Sequence, residues 1–169
     1  LSILDLDDGT QYPVHENPTH MPCFHGWGSH FYCLHEEMDD LLLRRWNYLT
    51  LQVEDVCTLP ADEGRYSYGT VTGDGLHFAV CVHVEQAPCR ILCFDLQTGA
   101  MTQLAASADH YFKHEQFSRD GTDRLMIQAN SHDRSRVGLG VLDLAGELEW
   151  LAVDEPNTPR PSGHEAWIG

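Results

Sequence analysis

Three residues of this 169-residue chain stand out for the chemistry they could do. His114 opens His-Glu-Gln-Phe (114–117) and His164 opens His-Glu-Ala-Trp (164–167). A histidine, a glutamate, one variable residue and an aromatic thus recur 50 residues apart. Two histidines held in register could share a metal ion or work as an acid/base pair. The same four residues could equally be a packing signature of a repeated element. Arg90, in Ala87-Pro-Cys-Arg-Ile-Leu-Cys-Phe-Asp95, enters an apolar run. A guanidinium placed there could grip a carboxylate bidentately. The alternative for Arg90 is a solvated strand end.

The remaining histidines and the cysteines carry less. His15, His20, His25, His30 and His35 recur every five residues. That spacing matches neither the period of a strand nor that of a helix, so these side chains scatter around the backbone. No set among them resembles zinc-ligand spacing. The cysteines are Cys23, Cys33, Cys57, Cys81, Cys89 and Cys93, with no CxxC pair. They read as small buried hydrophobes of a reducing compartment rather than a disulfide framework.

What must position His114, His164 and Arg90 is a repeated unit. Segments opening at Met21, Tyr68, His114 and His164 are 47, 46 and 50 residues apart, and the chain ends inside the last. The later ones run through Asp74-Gly75 and Asp120-Gly121 into apolar stretches. Further on in each repeat, an apolar run ends at a tight turn, as at Ile91–Gly99, Val137–Gly146 and Ser2–Gly9. Tyr48–Asp55 fills the corresponding place with a degraded turn. Asp-Gly and Thr-Gly supply the positive φ of tight hairpins. Four hairpin-linked strands in about 40–50 residues make a β-propeller blade. The expected fold is therefore all-β, about three to four blades of a propeller. Residues 1–14 are the end of one blade, 15–60, 61–107 and 108–155 are blades, and 156–169 begin the next. Three and a half blades cannot close a ring, so the chain reads as an internal piece of a longer propeller. Only Glu36–Trp46 looks helical, and it serves as well as a loop leading into a strand.

Charge narrows the partners. With 26 acidic and 10 basic residues the net charge is -16. Such a field repels phosphate, so neither nucleic acid nor an anionic membrane is an expected partner. No apolar run reaches about 18 residues, and no signal peptide is visible.

Three segments resemble the oligogalacturonate lyases, a family of seven-bladed propeller enzymes. Residues 66–84, with Tyr68-Gly-Thr-Val, are similar to the family's Gly-Tyr-Gly-Thr blade start. Residues 88–104 are similar to its Cys-Arg-Leu-Ile segment, and 163–167 to its Thr-His-Glu-Phe-Trp. The resemblance implies a cytoplasmic lyase of pectin breakdown acting on short oligogalacturonides. It implies His114 as the Brønsted base, Arg90 at the substrate carboxylate, and His164 as a ligand of a divalent metal, usually manganese. The other ligands, in a Gln-x-x-His-x-His motif, would follow Gly169. The implied reaction is β-elimination. A neutral histidine takes the C5 proton, α to a carboxylate whose charge a cation offsets, and the 4-O bond then breaks.

Some residues depart from the family pattern. Its Phe-Cys-His-Glu-Gly-Pro is replaced by residues 127–138, where His132 is a candidate substitute for the missing histidine. Glu115 stands where the family has proline. The loop between Val84 and Pro88 is short. One rival is a non-catalytic propeller used as a binding scaffold. Another is a peptidase's propeller domain, for which no Gly-x-Ser-x-Gly is present.

Overall fold

The computed structural model describes residues 2–13, 23–24, 28–60, 64–133, 135–153 and 167. Among them every regular element is a strand and none is a helix. A leading hairpin pairs β1 (Ser2–Leu4) with β2 (Gln11–Pro13). The first sheet is a meander of β3 (Cys23–Phe24), β4 (His30–Glu37), β5 (Asp40–Asn47) and β6 (Val53–Leu59). In the second sheet β7 (Arg65–Tyr66) and β8 (Thr70–Val71) are two halves of one interrupted inner strand, both paired with β9 (His77–His83). The sheet continues through β10 (Cys89–Asp95) to β11 (Met101–Ser107). The third sheet runs β12 (His110–Phe117), β13 (Leu125–Ser131), β14 (Val137–Leu142), β15 (Leu148–Val153). All pairings are antiparallel between neighbours in sequence, the pattern of successive β-propeller blades.

The cores lie between sheets, which explains the sequence of the second strands. In β9, Phe78, Val80 and Val82 face the first sheet and join Tyr32, Leu34 and Leu43 there. The alternate residues Ala79 and Cys81 face the third sheet, with Ile127 and Leu125. A strand buried on both faces reads as a continuous apolar run, not an alternating one. A smaller cluster of Phe31, Cys33 and Trp46 receives Ile3 from the leading hairpin. The Phe31 and Trp46 rings stack at 6.0 Å. Five cysteines, Cys33, Cys57, Cys81, Cys89 and Cys93, are free thiols, and all but Cys57 are buried. Burial pushes the Cys93 thiol up to about 12 and the Cys57 thiol up to about 11.

Glu36–Trp46, the one stretch with a helical look, is strand. β4 and β5 form a hairpin through Met38 and Asp39, with Glu37 opposite Asp40 and Phe31 opposite Trp46. The turn after β5 also falls earlier than its sequence suggests. Asn47 heads it, accepting from the Leu49 and Thr50 amides at 2.9 and 3.1 Å. Asp95 does the same for Gln97 and Thr98, both at 2.9 Å. The two turns close alike, Leu51 N–H to the Asn47 carbonyl and Gly99 N–H to that of Asp95, each at 2.8 Å. Leu51, at φ 60, thus occupies the left-handed position that Gly99 fills at φ 73. A side chain in that region is strained by about 1–2 kcal/mol, partly offset by the greater chain entropy of glycine. Leu51→Gly is therefore expected to stabilise the full-length protein by about 0.5–1 kcal/mol, read as a higher urea midpoint. A lower midpoint would show that Leu51 contributes packing that outweighs its backbone.

Candidate functional site

The inner strands of the second and third sheets are both broken at mid-length. Tyr66 pairs with Val82 and Thr70 with Ala79, leaving Ser67, Tyr68 and Gly69 opposite two residues. Lys113 pairs with Gln128 and Gln116 with Met126, leaving His114 and Glu115 opposite one. Each break is a bulge of one extra residue, a device that re-aims side chains beside functional sites. Tyr68 and His114 take matching places in the two bulges. Tyr68 is 58% exposed, while His114 is half-buried and adopts φ 56.

Glu115, unremarked as a site residue in the sequence, ties the two bulges together. Its side chain is buried. Oε1 accepts from the Ser67 hydroxyl and from the Gly69 amide, the latter at 3.0 Å. Oε2 accepts from the Cys81 thiol at 3.2 Å. Ser67 Oγ in turn accepts from the Cys81 amide at 3.0 Å. One carboxyl group thus closes a polar patch inside an otherwise apolar interface, as buried polar groups require. Gly69 is necessary beside it. It sits at φ 76, and a Cβ there would lie 2.2 Å from Cζ of the fully buried Phe78. The aromatic places of the motif, Phe117 and Trp167, also bond to an earlier inner strand. The Phe117 amide donates to Thr70 Oγ1 at 3.2 Å, and Trp167 Nε1 donates to the Gln116 carbonyl at 2.9 Å.

Around this patch the titratable groups are shifted by burial. The Cys81 thiol is pushed well above its usual range, first by burial and then by Glu115. Cys89 is raised by burial too, and its sulfur accepts from the Phe112 amide at 3.2 Å. His83 lies 3.4 Å from Cys89 Sγ and packs on Tyr111 with ring centroids 5.0 Å apart. Burial lowers the His83 pKa, and the attraction of Glu115 only partly restores it. A histidine depressed on folding adds stability above its unfolded value, near 6.5, that is lost as pH falls through the folded value. Unfolding free energy should therefore decline as pH falls below about 6.5, and His83→Gln should flatten that decline. An unchanged slope in the variant would assign the pH dependence elsewhere.

The residues singled out in the sequence lie as follows. His114 is in the inner-strand bulge of the third sheet. Arg90 is the second residue of β10, the third strand of the second sheet, opposite Val82 and Ala106. It is half-buried and shares the strand face of Leu92 and Phe94, which is turned to the first sheet. Arg90 and His114 thus occupy different strand rows of adjacent sheets. His164 lies outside the described residues. His132 is exposed in the turn after β13, where its Nε2 donates to the Ala108 carbonyl at 2.9 Å. Among the described residues, no group of three or more His, Cys, Asp or Glu could hold a metal ion. No described helix is long and apolar enough to cross a membrane.

No family model matches the chain, and no curated protein matches it. Solved structures do. TolB from Acinetobacter baumannii is similar at a TM-score of 0.62 and 18% identity, over 89% of this chain and 37% of that one. A putative TolB from Agrobacterium tumefaciens gives 0.64 at 12% identity, over 83% and 51%. The β-propeller domain of the trilobed protease from Pyrococcus furiosus gives 0.53 at 11%, over 81% and 43%. The chain therefore spans about half or less of each of these proteins. At such identities the likeness shows the fold, a partial β-propeller, and lends the lyase resemblance no specific support.

Proposed function

We propose that the chain is part of a propeller enzyme that cleaves short oligogalacturonides by β-elimination, with His114 as the base. One observation carries this beyond the resemblance. His114 holds a left-handed backbone within an inner-strand bulge, where a β-carbon is strained. Strain of that kind gathers at functional sites, where the surroundings fix it in place. Here the fixing group is the adjacent Glu115, buried and bonded to the neighbouring sheet. In this reading a neutral His114 accepts the C5 proton, the C4–C5 double bond forms, and the sugar oxygen on C4 leaves. Arg90 enters through the resemblance, as the group that meets the substrate carboxylate. The implied manganese would rest on His164 and on ligands after Gly169. Because no described cluster fits an ion, no step is assigned to it.

The test is a spectrophotometric assay of the full-length protein with divalent manganese and digalacturonate. A rise in the absorbance of unsaturated uronates is expected. No rise at any pH from mildly acidic to alkaline would sink the assignment. One observation favours a second reading, a non-catalytic binding scaffold. Glu115 and Phe117 bond from the third sheet to the second, and Trp167 bonds to the inner strand of the third, so His-Glu-x-aromatic also works as a blade-packing signature.

A further inference from the structure

Tyr68 is a large aromatic left 58% exposed at the crest of a bulge, while its half-buried neighbours Ser67 and Gly69 are tied to Glu115. On one side Ser67 bonds to Glu115 and to the Cys81 amide. On the other, the Gly69 amide bonds to the same Glu115 oxygen, and its backbone presses on Phe78. The chain between these anchors can only project its side chain away from the interface. Glu115 makes its bonds from the residue next to His114. A single carboxyl group therefore fixes both bulges, and the side chains at their crests are Tyr68 and His114.

We infer that Tyr68 and His114 form one ligand-contacting pair, and that Glu115 is the positioning residue that holds the pair in register. The substrate class rests on the reading above: the tyrosine ring would stack on the face of a sugar residue adjoining the one whose C5 proton His114 accepts. Sugar rings present C–H faces that suit an aromatic plane, while hydroxyl and carboxylate groups remain at the edge. A flat apolar face also offers an acidic protein a way to hold an anionic sugar without adding charge. The pairing of two adjacent inner strands through Glu115 does not depend on which sugar is bound.

The experiment uses the full-length protein and has two arms. The first measures digalacturonate binding and turnover in Tyr68→Ala and Tyr68→Phe. Tyr68→Ala is expected to weaken binding up to about tenfold, the size of an aromatic contact, and Tyr68→Phe to keep most of it. KM should rise more than kcat falls. The second arm needs no ligand. Ser67→Ala removes one donor to Glu115 from the sheet that does not carry His114. It is expected to move the His114 imidazole resonance in NMR while the protein stays folded by its melting profile. Equal binding in wild type and Tyr68→Ala would overturn the contact role. An unmoved His114 resonance in Ser67→Ala would overturn the clamp. If no uronate is turned over but the resonance moves, the lyase reading fails and the clamp stands.

Discussion

His114→Ala in the full-length protein is expected to lower digalacturonate turnover by about a hundredfold or more, with stability changed by less than about 1 kcal/mol. The two halves follow from different features. A positioned general base contributes about 10²–10⁴ in rate, and alanine has no group to take the proton. The imidazole is only half-buried, so its removal opens little interior. Alanine also keeps a β-carbon at φ 56, so the backbone strain persists. His114→Gly is the useful companion, since glycine lifts that strain. It should be equally inactive and no less stable than His114→Ala. Initial rates and melting midpoints of the two variants check both statements. A wild-type rate in either would remove His114 from the role of base.

Glu115→Ala should have the largest effect on stability, a loss of about 3 kcal/mol or more in urea unfolding of the full-length protein. The side chain is buried, and its two oxygens serve the Ser67 hydroxyl, the Gly69 amide and the Cys81 thiol. Alanine leaves these donors inside the interface without an acceptor, each costing about 1–3 kcal/mol. It also vacates the volume of a glutamate between two apolar sheets. Glu115→Gln keeps the shape and one acceptor but turns an amide toward donors, so its loss should fall between. A change below about 0.5 kcal/mol in Glu115→Ala would mean that water replaces the carboxyl group without penalty.

The sequence was most legible where turn chemistry is explicit. Asp95 through Gly99 and Asp120-Gly121 mark turns whose glycines have positive φ in the structure. It was least legible in the first sheet. There Met38 and Leu51 take the positive φ that glycine takes elsewhere, so nothing in their residue types announces a turn. Without those marks, Met38, Leu41, Leu42 and Arg45 fell at helical spacing although they belong to a hairpin. Arg44, buried between Glu37 at 2.7 Å and Asp55 at 2.6 Å, is a strand residue satisfied from across its own sheet. Such pairing across strands is invisible without the register. The role of Glu115 is hard to read from sequence because an acidic residue in a strand defaults to solvent. The available signal was the recurrence of glutamate after both His114 and His164, at a place where neither proposed chemistry required it.

The thiols, four buried and Cys57 half-buried, give the fold a set of markers, one group to each seam. Cys33 faces the leading hairpin, Cys57 packs at the junction of the first and second sheets, and Cys81, Cys89 and Cys93 close the next junction. None is poised as a thiolate where its pKa is raised, and for the four buried sulfurs a thiol reagent must wait for the seam to part. The sequence in which these sulfurs become modified would therefore chart the order in which the blades let go of one another.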